Sequence, residues 1–544
     1  MNRFSDAVAN LNNRSQLRWL AVLCLAWLLP GLVGHQPWKL DDAYSFGLVH
    51  HVLKGGEWLL PSLAGEPFME KPPLYYGVAA QFAKLFSPFL PVHDAARLSS
   101  GFFMALTLLF TGLAGRALWG KGQGRVAVLL LLGCMGLLIR AHELVAETAQ
   151  LAGFALALYG LSTSRQHPLT AGFALGSGAG IGFMSGGVLI PVILLTSACM
   201  LPFFPEWRGR RLVLCLLVAA AAVLPWLAAW PAWLYFHAPT LFASWWQAQF
   251  AVLLKPGGTA FGFYFSNLPW FAWPALPIAL WMLWREKLAR PETQLLALLS
   301  LVTLLILGLG AQARELHALP LLLPLSLLAT PGIDMLRRGA ANALNWFGIM
   351  TFGFFSGLLW FFWFALMTGV PERNARHLLK MQPGYTPEFV PLAFAVALFY
   401  TLAWLAVLGA TRRLPPGRRA IVNWGAGITL LWGIATTISL PWIDAGKSYR
   451  STFSSLQQAL PSAYGCIAGE NLGAAQRALL DYYAGIVTRR SDAAAQSECD
   501  LLLVQGHASQ PYAVAPSWRM LWQGARPGEK SERFWLFQQV WNEP

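Results

Sequence analysis

Two short polar segments lie beside an apolar run near the start of the chain. The letters DDAY occupy residues 41–44 and FMEKPPLYY residues 68–76, and both follow the apolar residues 17–33. Glu70 and Lys71 directly precede a predicted helix, where the lysine charge and the first helix amides can bind an anion such as a phosphate. The alternative is a solvated loop in which the two side chains pair with each other.

Asp41 and Asp42 stand at the start of another predicted helix in the same connector. A carboxylate in this position can act as a general base towards a hydroxyl group. Aspartate also caps helices well, and that structural role is compatible with a chemical role for one of the two. The pair is therefore a candidate for acid–base chemistry beside a bound anion.

The composition places these residues in a membrane protein. Hydrophobic residues make up 56% of the 544 residues and charged residues only 12%, which a water-soluble core does not explain. Runs of the length that spans a bilayer predict about thirteen transmembrane helices. They cover residues 17–34, 96–118, 125–141, 146–163, 169–185, 187–204, 211–230, 266–284, 293–310, 315–333, 343–368, 388–410 and 420–441.

The net charge of +14 comes from the membrane part. Beyond Leu440, nine Lys and Arg residues balance nine Asp and Glu residues, whereas basic clusters fall on alternate connectors of the preceding segment. This alternation predicts that the N-terminus and the basic loops are cytoplasmic. It puts residues 35–95, 231–265, 369–387 and everything after residue 440 on the outer side. The excess charge then requires no nucleic-acid partner.

The last hundred residues predict a separate soluble domain. We divide the chain into a transmembrane domain, 1–441, whose outer loop 35–95 carries short juxtamembrane helices, and an outer domain, 442–544. Strand and helix patterns alternate in the outer domain, which favours an α/β fold. Its two cysteines, Cys466 and Cys499, stand at predicted strand edges, so a disulfide on the oxidising side is one option and two free thiols are the other.

More charged residues reach the outer surface from other connectors. Glu147 begins the fourth predicted span, and an acid so close to hydrocarbon is costly unless it serves a site. Arg314 and His317 open the tenth span. The nearby Arg140, His142 and Glu143 are interpreted as anchors at the membrane interface.

The stretch from DDAY to EKPPLYY resembles the first outer loop of the C-type glycosyltransferases related to protein O-mannosyltransferases and to the bacterial lipid A aminoarabinose transferase. The later stretch ARELHALPLLLPLSLLA is similar to another motif of that family. The resemblance implies the GT-C fold. It also implies an inverting transfer of a sugar from a polyprenyl (undecaprenyl) phosphate donor to a lipid or glycan acceptor, such as lipid A, at the periplasmic face of the bacterial inner membrane.

The resemblance assigns roles to individual positions. The catalytic carboxylates would be Asp41, Asp42 and Glu147, and Glu147 stands where the family has Asp. The donor phosphate would be bound by Lys71, Arg314, His317 and Tyr44. Glu70 would organise the phosphate, with or without a divalent cation (Mg, Mn or Zn) to which it is a ligand.

At two positions this sequence lacks a cation that the family has. Tyr44 and Ser45 replace an Arg-Tyr pair, and Gly186 replaces a lysine after the fifth predicted span. Lys39, Lys54 or Arg314 would have to compensate, or the substrate would differ. Two other classes of function stay open, namely a transporter or flippase of lipid-linked sugars and an inactive homologue that only binds. Repeated halves would favour a transporter, and we find no second copy of the DD and EKPP elements.

Overall fold

The computed structural model describes residues 2–38, 40–253, 260–310, 313–490, 498–510, 512 and 515–540, with side chains from residue 15 onward except that of Val252. Lys39, one of the cations expected to compensate, lies outside the described residues. The α-helices, in chain order, are α1 Asn2–Leu28, α2 Asp41–Leu53, α3 Leu74–Phe86, α4 Val92–Trp119, α5 Gln123–Leu132, α6 Met135–Leu138, α7 Glu147–Thr163, α8 Pro168–Gly186, α9 Leu189–Met200, α10 Arg210–His237, α11 Pro239–Leu253, α12 Phe261–Phe271, α13 Ala275–Glu286, α14 Pro291–Leu309, α15 Leu322–Met335, α16 Arg338–Thr368, α17 Glu372–Met381, α18 Pro391–Ala410, α19 Pro416–Ala435, α20 Leu440–Lys447, α21 Arg450–Gln458 and α22 Ala474–Ala484.

Short 3₁₀ helices and strands complete the secondary structure. The 3₁₀ helices are Leu201–Phe203, Pro205–Trp207, Glu315–Leu321 and Thr411–Arg413. The strands are β1 Ser62–Leu63, β2 Glu66–Pro67, β3 Ile467–Glu470, β4 Arg489–Arg490, β5 Leu501–His507, β6 Trp518–Gly524 and β7 Glu532–Gln539.

The protein is a mostly helical, multi-pass membrane protein, but the count of thirteen spans is not confirmed. Among the described residues, six helical segments are long and apolar enough to cross a membrane, and a seventh is added if α19 and α20, bent by 63°, form one span. The six are Val92–Trp119, Arg210–His237, Pro291–Leu309, Glu315–Met335, Arg338–Thr368 and Pro391–Arg413.

Part of the difference arises because three of the apolar runs are interrupted or form only a short helix. The run 125–141 is divided between α5 and α6, and the run 266–284 between α12 and α13. The run 187–204 forms a helix of only 12 residues, α9. Hydropathy reports where apolar residues are concentrated, and it does not report where a helix is interrupted within that stretch.

Helices α7 and α8 pack closely through glycines, and this contact fixes the start of α7. A Cβ on Gly153 would lie 2.5 Å from the carbonyl oxygen of Gly178, and one on Gly160 would lie 2.6 Å from that of Ala171. Small residues at such positions let two membrane helices approach along their backbones. Glu147, at the first position of α7, is thereby held at the end of a tightly packed helix pair.

The C-terminal part is a mixed sheet covered by short helices. Its strand order is β4-β3-β5-β7-β6, in which β3 is parallel to β4 and β5, and β7 is antiparallel to β5 and β6. The predicted strands and the helix between them correspond to β3, α22, β4 and β5, whereas β6 and β7 were not predicted. Cys466 and Cys499 are joined by a disulfide, with their Cα atoms 4.8 Å apart.

The C-terminal part covers the outer loop and packs on α2. Eight of the 13 residues of α2 are buried, because α22 packs on it from the C-terminal side. At the contact, a Cβ on Gly47 would lie 2.5 Å from the Cβ of Ala478. Burial against a second domain left no periodic signal in the sequence of α2.

Candidate active site

Asp42 is enclosed in the protein and serves as a structural acceptor. Its Oδ1 accepts a hydrogen bond from the backbone amide of Leu144 (2.7 Å), and its Oδ2 accepts from that of Trp38 (3.0 Å). The guanidinium of Arg97 donates to both oxygens, with Nη2 3.0 Å from Oδ2. Burial opposes ionisation of Asp42, but Arg97 holds the pKa of this carboxyl below its usual range. Asp42 thus ties α2 to α4 and to the loop before α7.

Asp41 lines a cavity instead. Consecutive helix residues point about 100° apart, so the burial of Asp42 leaves its neighbour directed elsewhere. The cavity has a volume of about 430 Å³, and its charged lining comprises Asp41, Glu70, Arg140, Arg314 and Glu315. The Asp41 carboxylate has no hydrogen-bond or ion-pair partner among the described residues, which leaves it available to a ligand.

Lys71, Glu147 and Tyr44 form a buried cluster beside this cavity. The Nζ of Lys71 donates to Oε1 of Glu147 at 2.7 Å and to the hydroxyl of Tyr44 at 3.1 Å. Burial disfavours the charged form of Lys71, but the neighbouring Glu147 carboxylate raises the net pKa of the ammonium above its usual value. An ammonium has three hydrogens, so Lys71 retains one donor for a further partner.

Glu147 carries the clearest unmet hydrogen-bonding capacity of this cluster. Its side chain is 4% exposed, and its Oε2 accepts no hydrogen bond from the described part of the chain. His317 lies close enough to interact electrostatically with the Glu147 carboxylate. A buried acceptor without a partner costs free energy, which is the pattern expected of a group that meets a substrate.

Arg314 presents a guanidinium to the cavity from the extended residue before the 3₁₀ helix Glu315–Leu321. Its side chain is exposed and makes no ion pair with a described residue. Arg140 lines the same cavity but is engaged, at 2.8 Å from Glu143 and 3.3 Å from Glu315. Glu143, the partner of Arg140, is itself largely buried, and this burial raises the pKa of its carboxyl group to about 6. Among the described residues of the cavity wall, Arg314 is therefore the cation that is available to a ligand.

Arg140 and His142 were both interpreted as interface anchors, and the structure separates them. His142 is buried, with its ring nitrogens on the carbonyls of Leu138 and Trp27, and it packs between helices. Arg140 forms part of the cavity wall. Arg140 and His142 stand two residues apart at the end of the same predicted span, 125–141, so spacing alone could not distinguish them.

Glu70 is exposed and lines both this cavity and a second one of about 670 Å³. Within the described residues, no group of three or more His, Cys, Asp or Glu side chains could hold a metal ion. That observation does not fit a catalytic zinc site, which commonly has three protein ligands. Magnesium commonly takes one or two carboxylates and completes its shell with substrate phosphate and water, and Asp41 and Glu70 offer two carboxylates to one cavity.

The space at Gly186 is filled by another side chain. A Cβ on Gly186 would collide with the amide of Gln150, which lies on α7 one turn beyond Glu147. The next residue, Gly187, has a φ of 81° and approaches Gln249, whose Oε1 accepts from the amide of Val188 at 3.1 Å. Two buried glutamines therefore stand where the resemblance led us to expect a lysine, and no motif had indicated them.

The second cavity lies between the loop around β2 and the C-terminal sheet. Its polar lining includes Glu66, Glu470, Asn471, Arg477 and Arg490, and it shares Phe68, Glu70 and Ala474 with the first cavity. Glu66 joins the two parts of the protein, with one oxygen 2.8 Å from both Arg477 and Arg490. The first turn of α22 lies between the two cavities, so the C-terminal part forms a wall of each.

Comparison with known proteins finds similarity to one group of enzymes. No protein-family model matches the chain. An undecaprenyl phosphate-α-4-amino-4-deoxy-L-arabinose arabinosyl transferase of Pseudomonas savastanoi pv. phaseolicola is 29% identical over 392 residues, which are 66% of this chain and 69% of that protein. The protein of the same name from Pseudomonas paraeruginosa is 28% identical over 447 residues, covering 77% and 75%.

A solved structure shares the fold over nearly the whole length. The crystal structure of ArnT from Cupriavidus metallidurans bound to undecaprenyl phosphate superposes with a TM-score of 0.68, covering 96% of this chain and 97% of that one. The sequence identity in this superposition is 14%. The comparison therefore shows a common architecture that includes the C-terminal sheet.

Proposed function

We propose that the chain is a membrane glycosyltransferase of the GT-C fold, similar to the aminoarabinose transferases, and that it transfers a sugar from an undecaprenyl phosphate donor to a lipid or glycan of the cell envelope. The active site and the C-terminal domain face the periplasm in this proposal, and the N-terminus is cytoplasmic. The observation that carries it is one cavity lined by the Asp41 carboxylate and the Arg314 guanidinium, neither of which has an ion-pair partner among the described residues.

The reaction is an inverting displacement at the anomeric carbon. An acceptor oxygen forms the new bond to that carbon while the bond to the phosphate oxygen breaks, and the electron pair leaves with the phosphate. Arg314 binds the phosphate as its negative charge increases, and charge stabilisation of this kind is commonly the largest contribution to such a rate. If the acceptor is a hydroxyl group, Asp41 takes its proton.

The buried cluster positions the donor. Lys71 offers its remaining hydrogen to a phosphate oxygen, while Glu147 and Tyr44 hold the ammonium in place. The free Oε2 of Glu147 accepts a hydrogen bond from a sugar hydroxyl or amino group. Mg or Mn on Asp41 and Glu70 would add a further positive charge beside the phosphate, and the donor set does not support Zn.

The acceptor approaches through the second cavity. This cavity adjoins the first at Glu70, and its lining of carboxylates, Asn471 and two arginines is suited to a hydroxyl- or phosphate-bearing head group. Lipid A carries both kinds of group, so it is the acceptor that we propose to test first.

The deciding experiment compares the envelope lipids of cells that lack the protein with those of cells that produce the wild type or Asp41→Asn. We expect a sugar-sized mass increase on lipid A or another envelope lipid only with the wild type, by mass spectrometry. The variant must accumulate in the membrane at the wild-type level. A modification made equally well by Asp41→Asn would contradict the catalytic assignment, and no modification of any envelope lipid or glycan would favour a transporter or a binding protein.

A further inference from the structure

Helix α17, Glu372–Met381, carries a row of cations on one face. Arg373, Arg376 and Lys380 follow one another at intervals of three and four residues, so they share one side of the helix. All three are exposed. With His377 and Asn374 they line a groove of about 750 Å³. We call Arg373, Arg376 and Lys380 the cationic row.

The opposite face of α17 is attached to the rest of the protein. Ala375 is buried, and the carbonyl of Leu378 accepts a hydrogen bond from Nε1 of Trp442 at 3.3 Å. The carbonyl of Met381 lies directly against Gly528, whose lack of a Cβ allows the close approach. The helix is thus fixed between the membrane part and the C-terminal domain, with the cationic row directed away.

The position of α17 places it at the membrane surface, on the same side as the cavities. It lies between the long apolar helices α16, which ends at Thr368, and α18, which begins at Pro391. Its contact with Gly528 puts it on the side of the C-terminal domain, which also borders the cavity that holds Asp41. The segment 369–387 is assigned to the outer side, so the cationic row does not follow the charge bias that orients membrane proteins.

The charges of the cationic row are mostly uncompensated. Arg376 pairs with Glu372 at 3.2 Å across side chains that are about three-quarters exposed. Arg373 and Lys380 have no ion-pair partner among the described residues. Exposed pairs contribute little to stability, so the fold itself does not account for three cations on a single face.

We propose that the cationic row binds the phosphate groups of anionic phospholipids in the adjoining leaflet. From Arg373 to Lys380 the helix rises about 10 Å, a length suited to neighbouring lipid head groups. A basic side chain near an anionic membrane surface contributes roughly 1 kcal/mol to association, which is about a fivefold change in affinity for each cation. The bound lipids hold α17, and through Trp442 and Gly528 they also support the C-terminal domain. This inference does not depend on the proposed transfer reaction.

The test uses the purified full-length protein, stripped of lipid and titrated with phosphatidylglycerol or with phosphatidylcholine. Bound lipids are counted by native mass spectrometry, and hydrogen exchange locates them on the chain. The variant is Arg373→Gln/Arg376→Gln/Lys380→Gln. The matched control, Arg489→Gln/Arg519→Gln/Lys530→Gln, removes the same charge from exposed positions of the C-terminal domain.

We expect the wild type and the control to bind phosphatidylglycerol equally, with slower exchange in α17, and the variant to lose about a hundredfold in affinity for the tightest lipids. Phosphatidylcholine should not distinguish the three proteins. The charge-retaining variant Arg373→Lys/Arg376→Lys should bind as the wild type does, which separates lost charge from lost folding.

Equal binding of phosphatidylglycerol by the wild type and the variant would overturn the proposal. So would a loss seen only with a phosphorylated glycolipid such as lipid A in place of phosphatidylglycerol, because α17 would then be a docking site for the acceptor.

Discussion

The ammonium of Lys71 lies 2.7 Å from Oε1 of Glu147, although 76 residues separate them in the chain. Both side chains are buried, and the Glu147 carboxylate keeps its second oxygen without a partner in the described structure. The pair connects the outer loop to the first turn of α7, so it is both a structural contact and a candidate part of the donor site.

Lys71→Met should separate these two roles. It leaves a buried, uncompensated carboxylate, and breaking such a pair typically costs about 3 to 5 kcal/mol. Adding Glu147→Gln removes the stranded charge, so the double variant should recover much of the lost thermal stability and none of the transfer activity. Recovery of both in the double variant would show that the pair is only structural. The melting temperature and the turnover rate of the single and double variants are compared, and both are measured on the same preparation of each.

Asp42→Asn should lower the stability of the protein, whereas Asp41→Asn should lower its transfer activity. Asp42 balances the buried guanidinium of Arg97 and accepts two backbone hydrogen bonds, so its neutralisation should destabilise the protein by about 3 kcal/mol or more. Asp41→Asn should leave the melting temperature within about 1 °C of the wild type, because the half-buried Asp41 makes no hydrogen bond or ion pair with a described residue, and changes that break no such contact usually cost less than about 0.5 kcal/mol. Thermal unfolding in detergent measures the stability of both variants. Equal losses of stability would contradict this division of roles between Asp41 and Asp42.

Arg314→Gln should weaken donor binding. A hydrogen bond to a charged group contributes about 1.5 to 3 kcal/mol, so the KM for the undecaprenyl phosphate sugar should rise roughly 10- to 100-fold. The KM for the acceptor should change little. Arg519→Gln, which removes an exposed arginine from β6, is the control. An unchanged donor KM in Arg314→Gln would remove this residue from the phosphate site.

Glu66 should make docking of the C-terminal domain sensitive to acid. Hydrogen bonding to Arg477 is the main cause that lowers the pKa of Glu66, and Arg490 adds to it. Because the folded pKa lies below the unfolded value of about 4.3, this contribution is present above that value and is lost as the pH falls through the folded pKa.

The measurement is limited proteolysis between the two domains from pH 6 down to pH 3. Wild-type protein should become more susceptible below about pH 4, and Glu66→Gln should be susceptible at every pH. Glu498→Gln removes the acid of an exposed pair with Arg489 and should behave as the wild type. If Glu66→Gln kept the pH dependence of the wild type, a different acid would control the docking.

The sequence by itself determined the class of the protein and the segments that supply the candidate active site. Hydrophobic composition indicates a membrane protein because a chain that crosses a bilayer needs long apolar runs. The DD and EKPP segments are local sequence patterns, which can be recognised without knowledge of the fold. The order of strand, helix and strand after residue 460 was also evident, since alternation and turn residues act over short distances.

Only the tertiary structure decided which member of each pair is available to a ligand. Asp41 and Asp42 are indistinguishable in sequence, and Arg97, which fixes Asp42, lies 55 residues away. Likewise, the glutamines at Gly186 and the C-terminal wall of the cavities depend on contacts between distant segments. Hydropathy also did not show where helices are interrupted, because breaks such as that between α12 and α13 depend on backbone geometry within an uninterrupted apolar run. Side-chain direction and helix continuity are set by packing, and packing is decided by residues that are remote along the chain.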